Sequence, residues 1–146
     1  MATSQRAVLD VVLARLRALP ALVDNRTDRI RIAHRTPVTR AETPSIYIVP
    51  HSIEPRQGDG DCVRRRLTFS VRVYGRDDGG VAAIDELLEQ VLLRLQPAAD
   101  DVLPYPTGIV VDEPTRVRFD EEDADEDGAS ADLEFAVTYT SPAWTL

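Results

Sequence analysis

Apolar residues recur every three or four positions at the start of the chain and again after residue 80. Elsewhere they recur every second position. Val8, Val11, Val12, Leu16 and Leu19 fall on one side of a helix, with Arg6, Asp10, Arg15 and Arg17 at polar positions. Thr3 or Ser4 can cap its start and Pro20 stops it, which predicts a helix over about 4–19. Val81, Ile84, Leu87, Leu88, Val91, Leu92 and Leu95 form a second stripe, bounded by the capping residues Asp77 or Asp78 and by Pro97. Asp85, Glu86 and Glu89 lie on its outer face.

The period-two segments predict strands. Arg29–Ala33 and Ser45–Val49 are short, the second bracketed by Pro44 and Pro50. Arg64–Tyr74 alternates cleanly: Leu67, Phe69, Val71 and Val73 share one face, and Thr68, Ser70 and Arg72 the other. Ile109–Val111 suits a short strand. Thr115–Phe119 points Val117 and Phe119 inward, and Leu133, Phe135, Val137 and Tyr139 make a last inward row. The segment over 54–62, Glu-Pro-Arg-Gln-Gly-Asp-Gly-Asp-Cys, reads as a mobile loop, and 141–146 as a short apolar tail. The pattern predicts one α+β domain over 1–146, in the order α-β-β-β-α-β-β. Its sheet has about 4–5 strands, mostly antiparallel or mixed.

Charge changes this picture. All 17 cationic residues are Arg and the net charge is −8. Residues 1–76 hold 14 Arg against 7 Asp and Glu, a net of +7. Residues 77–146 hold 3 Arg against 18, a net of −15. Opposite halves of neighbouring subunits can attract through such a split. A net negative chain is a poor general nucleic-acid binder. No apolar run approaches the ~20 residues that span a bilayer, and the N-terminus has no apolar leader. The single Cys62 leaves no internal disulfide.

Seven carboxylates occupy the eight positions Asp120–Asp127, an acidic hairpin loop over 120–128. From Asp123 to Glu134 the chain satisfies the spacing D-x-D-x-D-G-x5-E of a calcium hand. That hand needs a helix on each side, and both flanks here alternate as strands. The run is therefore read as a solvated tip. Asp123, Asp125, Asp127 and Glu134 remain weak candidates for Mg2+ or Ca2+ as the only cofactor.

Cys62 with His51, Asp59 and Asp61 would make a nucleophile set only if the fold gathered them, and His34 and His51 read more simply as loop residues. No catalytic motif is present, which excludes none but the motif-bearing enzyme classes; the expectation is a protein that is not an enzyme. Arg64, Arg65 and Arg66 lack the interleaved aromatics that stack on bases, and suit an intersubunit contact with carboxylates. Trp144, the sole tryptophan, either folds under its own sheet or docks on a partner.

The last strand, Ala129-Ser-Ala-Asp-Leu-Glu-Phe-Ala-Val-Thr-Tyr139 after an acidic turn, resembles the end of the tail terminator proteins of long-tailed bacteriophages. These are minor tail proteins of the lambda type. Pro44–Val49, Leu67–Tyr74 and the helix Ile84–Leu95 fall in that family's order. The resemblance implies a homo-hexameric ring that caps the tail tube, ends its polymerisation and offers the surface that joins head connector proteins. Its partners would be the tail tube protein and those connectors. DNA would pass through the ring without sequence-specific binding, and no membrane would be involved. The implied location is the head-proximal end of the virion tail, after assembly in the host cytoplasm. Alternatives are a head–tail connector or tail-completion subunit, or a cation-binding module using 123–134.

Overall fold

A computed structural model of the chain describes residues 4–32, 44–75, 80–97, 105, 106, 108–112, 114, 116–120, 130–144 and 146. Helix α1 spans Gln5–Arg17; the Ser4 hydroxyl accepts from the amide of Ala7 at 3.2 Å, satisfying one of the first-turn donors. Two 3-10 turns, Pro20–Val23 and Thr27–Arg29, carry the chain to β1, Ile30–Ile32. Strands β2, Ser45–Asp59, and β3, Cys62–Tyr74, follow as a long hairpin. Helix α2 spans Gly80–Leu95, and β4, Val110–Val111, β5, Arg116–Asp120, and β6, Ser130–Pro142, complete the fold.

The six strands form one mixed sheet in the order β1-β2-β3-β6, with β4 and β5 both paired to the far side of β6. Only β1 and β2 run parallel. The protein is therefore an α+β domain, and the short strand read over Ile109–Val111, left out of the expected order, forms as Val110–Val111 paired with Val137–Thr138.

The expected loop over 54–62 is instead strand as far as Asp59, and β3 begins at Cys62. The turn is confined to Gly60 and Asp61. Gly60 has φ +62° at the first central position, where a two-residue type II′ turn needs glycine. Pro50, which read as a strand end, and Pro55, which read as part of a loop, sit instead beside register shifts at His51 and Arg56. The first shift has a packing consequence. Ile46 and Ile48 point towards the helices, and one extra residue restores Ile53 to that side, opposite Leu67. The tail also starts later than expected, since β6 continues to Pro142.

Both helices cover one face of the sheet. Val8, Leu9, Val12 and Leu16 of α1 and Ile84, Leu87, Leu88, Val91 and Leu95 of α2 are buried with Leu67, Phe69, Val71, Val73, Leu133, Phe135, Val137 and Tyr139. Phe69 stacks on Phe135 at 5.6 Å between centroids. Gly75, just past β3, lies close under α2: a Cβ there would lie 2.8 Å from Cδ1 of Ile84, which would have to shift. Val117, expected inward, is 48% exposed, because β5 is an edge strand. Among the described residues, no helix is long and apolar enough to cross a membrane.

Arg15, expected on the polar side of α1, is only 4% exposed, and Arg94 5%. Nη1 of Arg15 donates to the carbonyls of Arg94 (3.0 Å) and Gln96 (2.9 Å), and its guanidinium lies 3.6 Å over the Tyr105 ring. The Tyr105 hydroxyl donates to the carbonyl of Leu95 at 2.7 Å. These carbonyls close α2 and have no partner within it. They concentrate the negative end of the helix dipole, which compensates the buried cation. One side chain thus ties α1 to the end of α2.

Burial pushes the Tyr105 hydroxyl up to about 12, against the opposing effect of Arg15, and raises Tyr139 as well. Below the ordinary tyrosine value of about 10 the hydroxyl is protonated in both states. Between there and about 12 only the unfolded chain loses the proton, so stability falls as pH rises. The urea midpoint should drop across this range in the wild type and drop less in Tyr105→Phe. Equal slopes for the two proteins would contradict the assignment.

Candidate interaction surface

The face of the sheet opposite the helices is polar and lies in rows across the strands. One row runs Arg31, Tyr47, Arg72, Asp132, Arg118. Arg72 donates through Nε and Nη2 to both carboxylate oxygens of Asp132, at 2.8 and 3.0 Å. That bond, against the cost of burial, holds the Arg72 guanidinium more firmly protonated than usual. Arg31 donates to the Tyr47 hydroxyl at 2.9 Å. Tyr47 meets Tyr74 edge-to-face, with centroids 5.9 Å apart, so a small aromatic island sits on this face.

The next row holds Val49, Ser70, Glu134 and Arg116. Beside it His51, expected in a loop but placed in β2, shares a hydrogen bond with the Ser70 hydroxyl. A His–Ser pair is the first half of a nucleophilic set. Ser70 is only 6% exposed, however, so its oxygen is not open to a substrate, and the pair acts as a cross-strand tie. Nothing in the sequence signalled it, since the register shift at His51 breaks the alternation. Cys62 pairs with Asp59 and Pro142 at the hairpin turn, eight positions from Ser70 along β3, ~26 Å at strand rise. The fold therefore does not bring Cys62 and His51 together.

The arginine triplet is divided between the two faces. Arg65 shares the helix side with Leu67 and donates to the Ser141 hydroxyl at 2.6 Å. Arg64 and Arg66 point to the open face. There, with Arg56, Asp112 and Thr138, they line an open basin of about 480 Å³. Arg64 is exposed and Arg66 half-buried, and Nε of Arg66 is buried without a hydrogen-bond partner.

Trp144 does not fold under the sheet: it is 101% exposed, at φ +67°. The backbone on both sides of it is held. The Ala143 amide donates to the carbonyl of Asp61 at 2.7 Å, and the Gln5 amide to the carbonyl of Leu146 at 3.1 Å. Trp144 therefore stands at the hairpin end of the sheet.

Asp123, Asp125 and Asp127 lie outside the described residues, as does His34. Glu134 lies in β6, on the open face and half-buried. Asp120 pairs with Ser130, so the acidic run joins two antiparallel neighbours. Both flanks of the calcium-hand spacing are thus strands, as their alternation predicts, where a calcium hand needs helices. Among the described residues, no group of three or more His, Cys, Asp or Glu side chains is placed to hold a metal ion. The chain matches no protein-family model, and no curated protein matches it.

Arg72 and Asp132 should show a coupling of about 1 kcal/mol in a double-mutant cycle of urea denaturation with Arg72→Ala and Asp132→Ala. That is the upper end for half-exposed pairs, reached because the bond is two-pronged. A coupling indistinguishable from zero would show that the row contributes nothing to the sheet.

Proposed function

We propose that the protein is a structural assembly subunit that closes into a ring, caps the tail tube of a long-tailed phage and presents the surface that the head connector joins. The resemblance of its strands to tail terminators supplies the biological setting, with a six-membered ring as its implied form. The observation that carries assembly is Trp144. A fully exposed indole is unfavourable in water, and the left-handed backbone that presents it is costly for a bulky residue. Aromatic side chains held in this way serve as anchors in interfaces.

The strand edges support side-chain docking over strand addition. Beyond Ile48, no described strand pairs with the outer side of β2, and that edge carries Pro50, Pro55 and two register shifts. The opposite edge is broken between β4 and β5 and carries Arg116 and Arg118. Prolines, bulges and edge charges all blunt pairing with another strand. An unlike pair of surfaces closes into a ring when the rotation per subunit allows it.

Size-exclusion chromatography with light scattering should show an assembly that grows with concentration to a closed species. Trp144→Ala should weaken it at least tenfold. A strict monomer at high concentration that also fails to bind tail-tube ends would overturn the reading.

A further inference from the structure

The second register shift of β2 changes what the open face can bind. Pro55 pairs with Arg65 and Gln57 with Arg64, which leaves Arg56 as an extra residue between them. It joins the basin that Arg64 and Arg66 line, two positions and ~7 Å apart on one face of β3. Thr138, the cross-strand neighbour of Arg66, and Asp112 complete the described lining. Three guanidiniums thus share about 480 Å³ with one carboxylate.

These cations are poorly matched within the chain. Among the described residues, Arg64 and Arg66 form no ion pair. Arg56 reaches Glu54 only through one contact of 3.5 Å between exposed side chains. Nε of Arg66 is buried and makes no hydrogen bond. A buried N–H without an acceptor is costly, and an arginine fork matches an oxyanion with two parallel N–H donors. An oxyanion in the basin satisfies that donor and offsets the repulsion among the three cations. Asp112 sets which oxyanion fits. A carboxylate repels one that is fully ionised and accepts a hydrogen bond from one that keeps a proton.

We propose that Arg56, Arg64 and Arg66 bind phosphate in this basin, with the guanidiniums on its ionised oxygens and Asp112 accepting from its P–OH group. Inorganic phosphate keeps that proton at neutral pH, whereas sulfate and the phosphodiesters of nucleic acid have none to give. A phosphate monoester shares the chemistry but loses its last proton near about pH 6. The described lining also offers no aromatic side chain on which a base could stack. The site belongs to a single subunit and does not rest on the ring.

Titration calorimetry of the purified chain with inorganic phosphate tests it. Arg64→Gln and Arg66→Gln should each weaken binding by about tenfold or more. Circular dichroism checks the fold of both, and Arg64 is exposed, so its variant keeps the test open if that of Arg66 unfolds. Arg6→Gln makes the same charge change on α1, across the sheet, and should bind like wild type. Sulfate should bind about tenfold more weakly than phosphate, and Asp112→Asn should bring the two within about threefold. Glycerol phosphate should bind at about pH 5.5 and weaken about tenfold by about pH 7.5, as its last proton leaves. Equal binding at both, or a preference for phosphate that survives Asp112→Asn, would overturn the role of Asp112. No saturable heat up to about 10 mM phosphate, or binding that Arg64→Gln leaves intact, would overturn the site. Single-stranded DNA that binds more tightly than phosphate would overturn it in favour of a nucleic-acid surface.

Discussion

The structure depends on a sheet that, among the described residues, is covered by helices on one face only. Two helices fill the side of Leu67, Phe69, Val71 and Val73, and no described helix lies on the side of Thr68, Ser70, Arg72 and Tyr74. Alternation along β3 and β6 satisfies both surroundings at once, since neighbouring side chains point to opposite faces. A single helical layer must also be held in place from within. Arg15 does this by crossing from α1 to the last carbonyls of α2, under the ring of Tyr105. The open face is kept in register by polar ties across the strands, of which the two-pronged Arg72–Asp132 bond is the strongest.

Antiparallel pairing sets the arginine-rich half of the chain beside the acidic half, since β3 pairs with β6 along its whole length. The arginines over 64–66 open β3, and the acidic run precedes β6. Because β3 and β6 run in opposite directions, the start of one lies beside the end of the other. The arginines over 64–66 and the residues that flank the acidic run, Asp120 and Ser130, are thereby placed at opposite ends of the same sheet. Trp144 stands at the arginine end, beside the hairpin turn, so the apolar anchor and the cationic basin belong to the same end of the molecule.

Much of the fold is legible in the chain because the strongest patterns are also the most buried. Ser4 and Pro20 bracket α1 closely, and the alternation over Leu67–Val73 and Leu133–Tyr139 marks the inward face residue by residue. The far half of the β2–β3 hairpin is not legible, because its β2 arm is a mostly exposed edge that needs no apolar row. Its prolines belong to bulges, yet they read as loop signals. The parallel pairing of β1 leaves no local trace. Arg15 reads as a solvent-facing residue because charge alone does not reveal a helix end waiting for a donor. For the candidate site, the division of the arginine triplet follows from the alternation itself, since Arg65 has the parity of Leu67. The basin does not, because Arg56 joins it only through the second register shift in β2.

The proposed ring rests on an exposed aromatic anchor and on strand edges that resist pairing. Electron microscopy of the purified wild-type protein at high concentration tests this most directly. The account predicts closed rings of one size, with every subunit in the same orientation and Trp144 at or near a subunit boundary. Isolated monomers, or two-fold dimers in which both copies present the same end, would contradict it.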